Sequence, residues 1–300
     1  TVRTLLDRGA AEDAVDLVWT LQFYYWWLRG QQQQGRRWAD AALGGRHGAL
    51  SPLHRARALL TIGMSWSDGA DTVARAALEE GLRLARREGD ERGQAIGLMM
   101  LGLLAADEQD EALARATSEE SLHHFRALGA DWGAAFALIN LGVLPLLRGD
   151  HDAAQGLFAD SLATARRAGD RVAIHRALYY LGLLARVRGD AARAADHFAA
   201  GLILAGELRD RVNTGYFVQQ LATLAIARGK VAEGMRLLGA AERLLEGTGA
   251  PLHRDVPGAD WHERAIEAAR ATLDPPAFAR AHTAGRALTL EETVATALAI

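Results

Sequence analysis

The sequence predicts an all-α fold: a right-handed superhelical solenoid of about six helical hairpins, closed by a C-terminal helical cap. Three observations carry this expectation. A dipeptide returns at a fixed interval: Leu101-Gly102, Leu141-Gly142, Leu181-Gly182 and Leu221-Ala222 stand 40 residues apart, and Ile62-Gly63 extends the series upstream with a slip of one residue. Turn residues return in the same register, as Arg148-Gly149-Asp150, Arg188-Gly189-Asp190 and Arg228-Gly229-Lys230, and again as Gly89-Asp90, Gly129-Ala130-Asp131, Gly169-Asp170 and Arg209-Asp210. Between the turns, apolar residues fall at helical spacing. Leu178, Leu181, Gly182 and Ala185 form one stripe; Ala194, Phe198, Leu202 and Ala205 form another.

Each element follows from local chemistry. The Gly of a Gly-Asp pair suits the position just past a helix, where the backbone turns left-handed. The Asp that follows suits the next N-cap, where its carboxylate accepts free backbone N–H groups. Every repeat therefore reads as helix A, tight turn, helix B, tight turn, with hairpins over 11–43, 52–87, 92–127, 131–168, 171–208 and 211–246. Proline is nearly absent from them, as long helices require, and Pro145 is expected to kink its helix or open a local bend. After Gly247 the repeat stops. A loop over 248–259 carries Pro251 and Pro257, and three short helices follow: Trp261–Leu273, Pro276–Gly285 and Thr289–Ile300, the last with Thr289 as N-cap and Glu291 and Glu292 in its first turn. The expected organisation is a repeat array over 1–247 and capping helices over 248–300, packed on the last repeat.

Composition narrows the function classes. Half of the 300 residues are hydrophobic, ample for a large core, and a repeat array of this length need not split into domains. A net charge of −3 provides no global attraction to nucleic acid or anionic lipid. The absence of cysteine excludes disulfides and thiolate metal sites and fits a reducing cytoplasm. The longest apolar runs, such as 96–106, are too short to span a bilayer, and no signal peptide opens the chain. The chain starts without Met, inside helical sequence, and reads as a segment of something longer. Lys230 is its only lysine.

Small residues sit where the two helices of a hairpin must meet. Gly142 is followed 12 residues later by Ala154 and 16 later by Phe158; Gly182 is followed identically by Ala194 and Phe198, and Gly102 by Ala114. This order, with Asn140 before its Leu-Gly pair, resembles the tetratricopeptide signature. That signature usually repeats at roughly 34 residues, so a period of 40 implies longer helices. HEAT-type repeats match the period but leave the Gly/Ala register unexplained. A second resemblance rests on the run MRLLGAAERLLEGTGAPL from Met235 to Leu252, on the segment from Phe278 to Leu298, and on Trp27 to Gln31 with Gly35 to Trp38. These look like the repeat region of STAND-type predicted ATPases and regulators, akin to MalT-like and LuxR/SARP-type bacterial transcriptional activators. The resemblance implies a C-terminal sensor region, preceded in the parent protein by a nucleotide-binding module and an output domain. Any ATPase activity would belong to that upstream module, since no glycine-rich phosphate loop with its lysine is found here.

The search for chemistry is otherwise negative. GxSxG, HExxH and GxGxxG are all missing. His123 and His124 are adjacent on a helix and diverge, so a solvated face is the better reading than a metal site. His262-Glu263 lacks a second zincin histidine, and the two Arg-Gly-Asp triplets are explained as helix stop and start. The expectation is a binding protein with no catalytic residues, no metal and no cofactor. In tetratricopeptide arrays helix A lines the concave face. With the Leu-Gly register fixed, the groove positions are Arg57, Leu60 and Met64; Ile96, Met99 and Leu103; Phe136, Ile139 and Val143; Arg176, Tyr179 and Leu183; Tyr216, Gln219 and Thr223, with Asn140 and Gln220 as neighbours. Aromatic and Met members suit adaptable partners, and Arg57 and Arg176 offer fixed charge to an acidic group.

Two readings of this surface stay open. It is a groove for a protein, peptide or small-molecule inducer, or its apolar members pack on one another or under the C-terminal tail. The Tyr24-Tyr25-Trp26-Trp27 cluster likewise reads as first-hairpin core or as a docking patch. The functional expectation is a ligand- or protein-binding sensor domain of a cytoplasmic bacterial signalling or transcriptional regulator. It would make no direct nucleic-acid or membrane contact and could form a homo-oligomer. The alternative is a scaffold or self-association module with no small ligand.

Overall fold

The turn chemistry builds the architecture. Asp90, Asp110, Asp150, Asp170, Asp190 and Asp210 each accept the backbone N–H three residues on, for example Asp170 from Ala173 at 2.8 Å and Asp190 from Arg193 at 2.9 Å. Just before each cap the chain closes the preceding helix with one backbone bond across five residues, as from Asp170 N–H to the Ala165 carbonyl (3.0 Å) and from Asp190 N–H to that of Ala185 (2.9 Å). Left-handed glycines make the turn at Gly89, Gly129, Gly149, Gly169, Gly189 and Gly229. Gln109 and Arg209 hold the same conformation, at φ of 62° and 52°, without being glycine. Ala130 and Lys230 occupy N-cap positions without a carboxylate.

The computed structural model describes residues 1–22, 26, 31–45, 49–65, 72–248 and 260–300. Among these the regular elements are all helices: α1 Val2–Asp7, α2 Ala11–Thr20, α3 Gln32–Leu43, α4 Pro52–Gly63, α5 Thr72–Glu88, α6 Glu91–Asp107, α7 Glu111–Ala127, α8 Asp131–Leu147, α9 His151–Ala168, α10 Arg171–Val187, α11 Ala191–Glu207, α12 Arg211–Ala227, α13 Val231–Leu245, α14 Trp261–Thr272, α15 Pro275–Arg286 and α16 Leu290–Leu298. The hairpins and the three tail helices lie where the sequence places them, within a residue or two at most ends. α1 is an addition that the repeat register did not announce. Tyr24, Tyr25 and Trp27, and the loop prolines Pro251 and Pro257, lie outside the described residues. Trp26 is buried, and its indole N–H donates to the Val18 carbonyl at 3.2 Å.

The chain forms two compact units, Thr1–Leu144 and Pro145–Ile300. Pro145 sits inside α8 and opens the second unit. In the first unit α4 packs on α5 and α6 on α7, while α1, α2 and α3 share a core of Val2, Leu6, Val15, Val18 and Ala39 with Ala58 and Ile62 of α4. In the second unit α10 packs on α11 and α12 on α13. The Gly/Ala/Phe register is the hairpin interface. Gly182 of α10 lies against the ring of Phe198 of α11, and Ala194 and Phe198 are fully buried. Phe158 of α9 is also fully buried and stacks on Tyr180 at 5.3 Å.

The tail helices cover the last hairpin. α15 lies on α13 with backbone nearly touching backbone: a Cβ at Gly239 would overlap the His282 carbonyl, and one at Gly285 would overlap that of Arg236. Around that contact His282 meets Glu242 (2.8 Å) and Arg286 meets Glu246 (3.2 Å). α16 starts at the predicted N-cap Thr289, which forms a capping box with Glu292, and packs on α11, α12 and α13. α14 packs on α12 and α13 and buries Ala265 and Ala269.

Candidate interaction surface on the A helices

A 17-residue A helix presents residues three and four apart along one stripe. On α10 that stripe is Arg176, Tyr179, Leu183 and Arg186; on α12 it is Tyr216, Gln219, Gln220 and Thr223. The structure brings these two stripes together. The Arg176 guanidinium donates to the Asn213 side-chain oxygen at 3.4 Å. Tyr179 lies with its ring 6.3 Å from Tyr216 and 5.7 Å from Phe217. Burial pushes the Tyr179 phenol well above its ordinary value, with Tyr180 and Tyr216 adding to the effect, so it stays protonated. Arg186 donates to Gln220 Oε1 at 2.9 Å and to Thr223 Oγ1 at 2.6 Å. On its other face lies Trp261 of α14, with the guanidinium carbon 3.8 Å from the ring centroid. Burial lowers the Arg186 pKa to about 10, against the opposing pull of Tyr179 and Asp260, so it is still a cation at neutral pH.

Burial separates the sequence-predicted residues. Met64, Met99, Ile139, Asn140, Val143, Arg176, Tyr179, Leu183 and Tyr216 are buried, as are Leu60, Ile96 and Thr223. Arg57, Leu103, Phe136, Gln219 and Gln220 are half-buried. The register puts them on the A-helix face, but large side chains on that face fill the space between neighbouring helices. Asn140 shows how this works: its amide donates to the Met99 carbonyl at 2.9 Å, tying α8 to α6. Arg57 is not an open charge, since it meets Asp16 at 2.7 Å and Asp90 at 3.3 Å. The accessible part of the strip in the second unit is its rim of Arg186, Gln219, Gln220 and Trp261.

Two polar clusters were not visible in the sequence because their members are distant along the chain. In the first unit Ser51 Oγ lies 2.7 Å from His54 Nδ1, and His54 Nε2 lies 3.4 Å from Asp16. This order of groups suggests nucleophilic catalysis, but the surroundings oppose it. The Ser51 N–H, the nearest oxyanion donor, is spent on Glu12 Oε1 at 2.8 Å, which puts a carboxylate where negative charge would have to develop. That same bond, more than any other contact, holds Glu12 below the usual carboxylate range. The cluster therefore ties the start of α4 to α2. In the second unit His175 and Asp210 are both fully buried, 3.4 Å apart, close enough to pair but not aligned as a hydrogen bond. Asp210 also accepts from the Asn213 backbone and amide, so His175, Asp210, Asn213 and Arg176 form one polar chain beneath the strip. Among the described residues no three His, Asp or Glu side chains are grouped to hold a metal ion, and no helix is long and apolar enough to cross a membrane.

No protein-family model matches this chain, and no curated protein matches it. Among solved structures it is similar to that of a Rap protein complexed with competence and sporulation factor. The TM-score is 0.58 at 15% identity, over 93% of this chain and 83% of that one. An identity this low speaks for architecture alone, and what it shows along nearly the whole chain is an all-helical fold of the tetratricopeptide-like repeat type.

Proposed function

We propose that this chain is the interaction domain of a bacterial signalling or transcriptional regulator, and that it binds a peptide or protein segment on the A-helix strip of α10 and α12. One observation carries the reading: Arg186, Gln219 and Gln220 form a half-buried rim of directional polar groups over an aromatic floor of Tyr179 and Tyr216. Such a rim can fix the register of an incoming chain laid across it. The fold supports it further, because the Rap protein that shares this fold was crystallised with competence and sporulation factor. The resemblance of the tail and first repeat to STAND-type and MalT-like regulators supports the regulatory context. In that context the domain works in the cytoplasm as a sensor without catalysis of its own. Binding favours one conformation of the array and biases an attached switch.

The test is native mass spectrometry of the purified chain, followed by fluorescence-polarisation titration with a peptide panel. The expected result is a monomer that takes up one peptide. Gln219→Ala with Gln220→Ala should weaken it about 10-fold or more, the size of one lost hydrogen bond to a charged or well-placed group. A bare dimer that binds no peptide would instead establish the scaffold reading. Unchanged affinity in the folded double variant would remove the strip from the site.

A further inference from the structure

Trp261 opens α14 and lies over Arg186 while remaining half-buried itself. It is therefore placed as a cover on the strip and not as a member of the core. The helix that carries it is lightly held, since its buried residues are two alanines, Ala265 and Ala269. Its neighbour α15, by contrast, is locked to α13 through Gly239 and Gly285 and by ion pairs to Glu242 and Glu246. Arg186 hydrogen-bonds to two neutral acceptors, Gln220 and Thr223, and among the described residues it has no ion pair with a carboxylate. Asp260, the N-cap residue directly before Trp261, is ion-paired with Arg264 of α14 and adds its field at Arg186 without touching it. An aromatic ring over a guanidinium, with a carboxylate one residue before that ring in the chain, is thus what this site already holds.

We infer that Asp260–Trp261 is a built-in competitor for the strip, and that the partner segments recognised there carry the same chemistry, an aromatic residue next to a carboxylate. The inference rests on the reading of the strip as a binding surface. In the resting chain α14 fills the Arg186 end of the strip; a partner of matching chemistry displaces it and frees α14. This makes release of α14 the output of binding.

The probe is a fluorescein-labelled synthetic peptide with the sequence of residues 260–272 of this chain. It is titrated against the wild type and against Trp261→Ala, both as the full chain, with helicity and melting followed by circular dichroism. The expected result is binding to Trp261→Ala that is at least tenfold tighter than to the wild type and weakens with added salt. It should be lost when Arg186→Gln is added, or when the peptide's own aspartate and tryptophan are replaced by asparagine and alanine. Equal binding to wild type and Trp261→Ala overturns the inference, as does no binding to a folded Trp261→Ala. Should that variant not fold, amide exchange in Arg186→Gln decides: α14 amides are expected to exchange at least tenfold faster than in the wild type while α12 is unchanged, and an unchanged α14 overturns the inference. Because the probe is the chain's own segment, its result does not depend on any foreign partner. Binding of this peptide with no response to a foreign peptide panel would sink the proposed function and leave the competitor in place.

Discussion

Gly182→Ala tests the hairpin interface, and the structure sets its sign. A Cβ at position 182 would lie 2.6 Å from Phe198 Cδ1 and 2.9 Å from Cζ, well inside van der Waals contact. The ring has nowhere to swing: it is fully buried, with Tyr179 at 6.0 Å and Phe217 at 6.4 Å between ring centroids. Two effects oppose each other. Replacing a mid-helix glycine by alanine gains about 1 kcal/mol of helix propensity. Forcing a methyl into a filled interface costs about 1–3 kcal/mol. The expected net is a loss of up to about 2 kcal/mol in the wild-type background. Phe198→Leu removes the obstructing ring atoms, so in that background Gly182→Ala should become neutral or stabilising. The cycle of four proteins should then show a coupling of about 1 kcal/mol or more. Urea unfolding followed by circular dichroism measures it, provided the slope is constant across the four. If Gly182→Ala is harmless in the wild-type background, or equally harmful once Phe198→Leu is present, the close approach is not what holds this hairpin.

Three further outcomes are expected. Gln109→Gly should stabilise the first unit by about 0.5–1 kcal/mol, because glycine adopts the left-handed turn without the side-chain penalty; an unchanged denaturation midpoint would contradict this. Gly285→Ala should lift α15 off α13, since the new methyl overlaps the Arg236 carbonyl, and tryptic cleavage at Arg280 and Arg286 should accelerate while cleavage within α10 does not. His262 is held below its ordinary value of 6.5 by burial, against the opposing pull of Glu242 and Glu263. The unfolded chain therefore binds a proton that the folded chain resists, so stability is fully present above pH 6.5 and is lost as pH falls from that value through the lower pKa of the folded state. His197 is shifted in the same direction, so the check is differential: the fall in Tm between mildly alkaline and mildly acidic buffer should be smaller in His262→Gln than in the wild type.

The fold was legible because its signals are local. A left-handed residue, an N-cap carboxylate and a 17-residue amphipathic helix are each specified by a few adjacent side chains, and repetition at 40 residues multiplied the signal. Even so, the turns at Gln109 and Arg209 keep the fold without glycine, because the backbone bonds from Asp110 to Ala105 and from Asp210 to Ala205 impose the geometry. The surface was legible only as a face. Periodicity put Tyr179 and Tyr216 on the A-helix side, but whether that side is open depends on how neighbouring helices fill it, and there they fill it with each other. Arg186 continues the α10 stripe one position past those that the sequence reading named. Its partners Gln220, Thr223 and Trp261 are brought to it by packing, and nothing at position 186 announces them.

Lys230 replaces an aspartate at the start of α13, and its ammonium reaches the carbonyl oxygen of Ile300, 2.8 Å away. As the only lysine among 300 residues, it gives the chain a single side-chain amine. Reagents that decorate most proteins at many places would mark this one at one side chain, beside the α-amino group, and that side chain touches the residue that follows α16 and its cap. Acylation would remove the charge and weaken the contact, so the labelling rate of one atom becomes a direct reading of how firmly α16 is held against the start of α13.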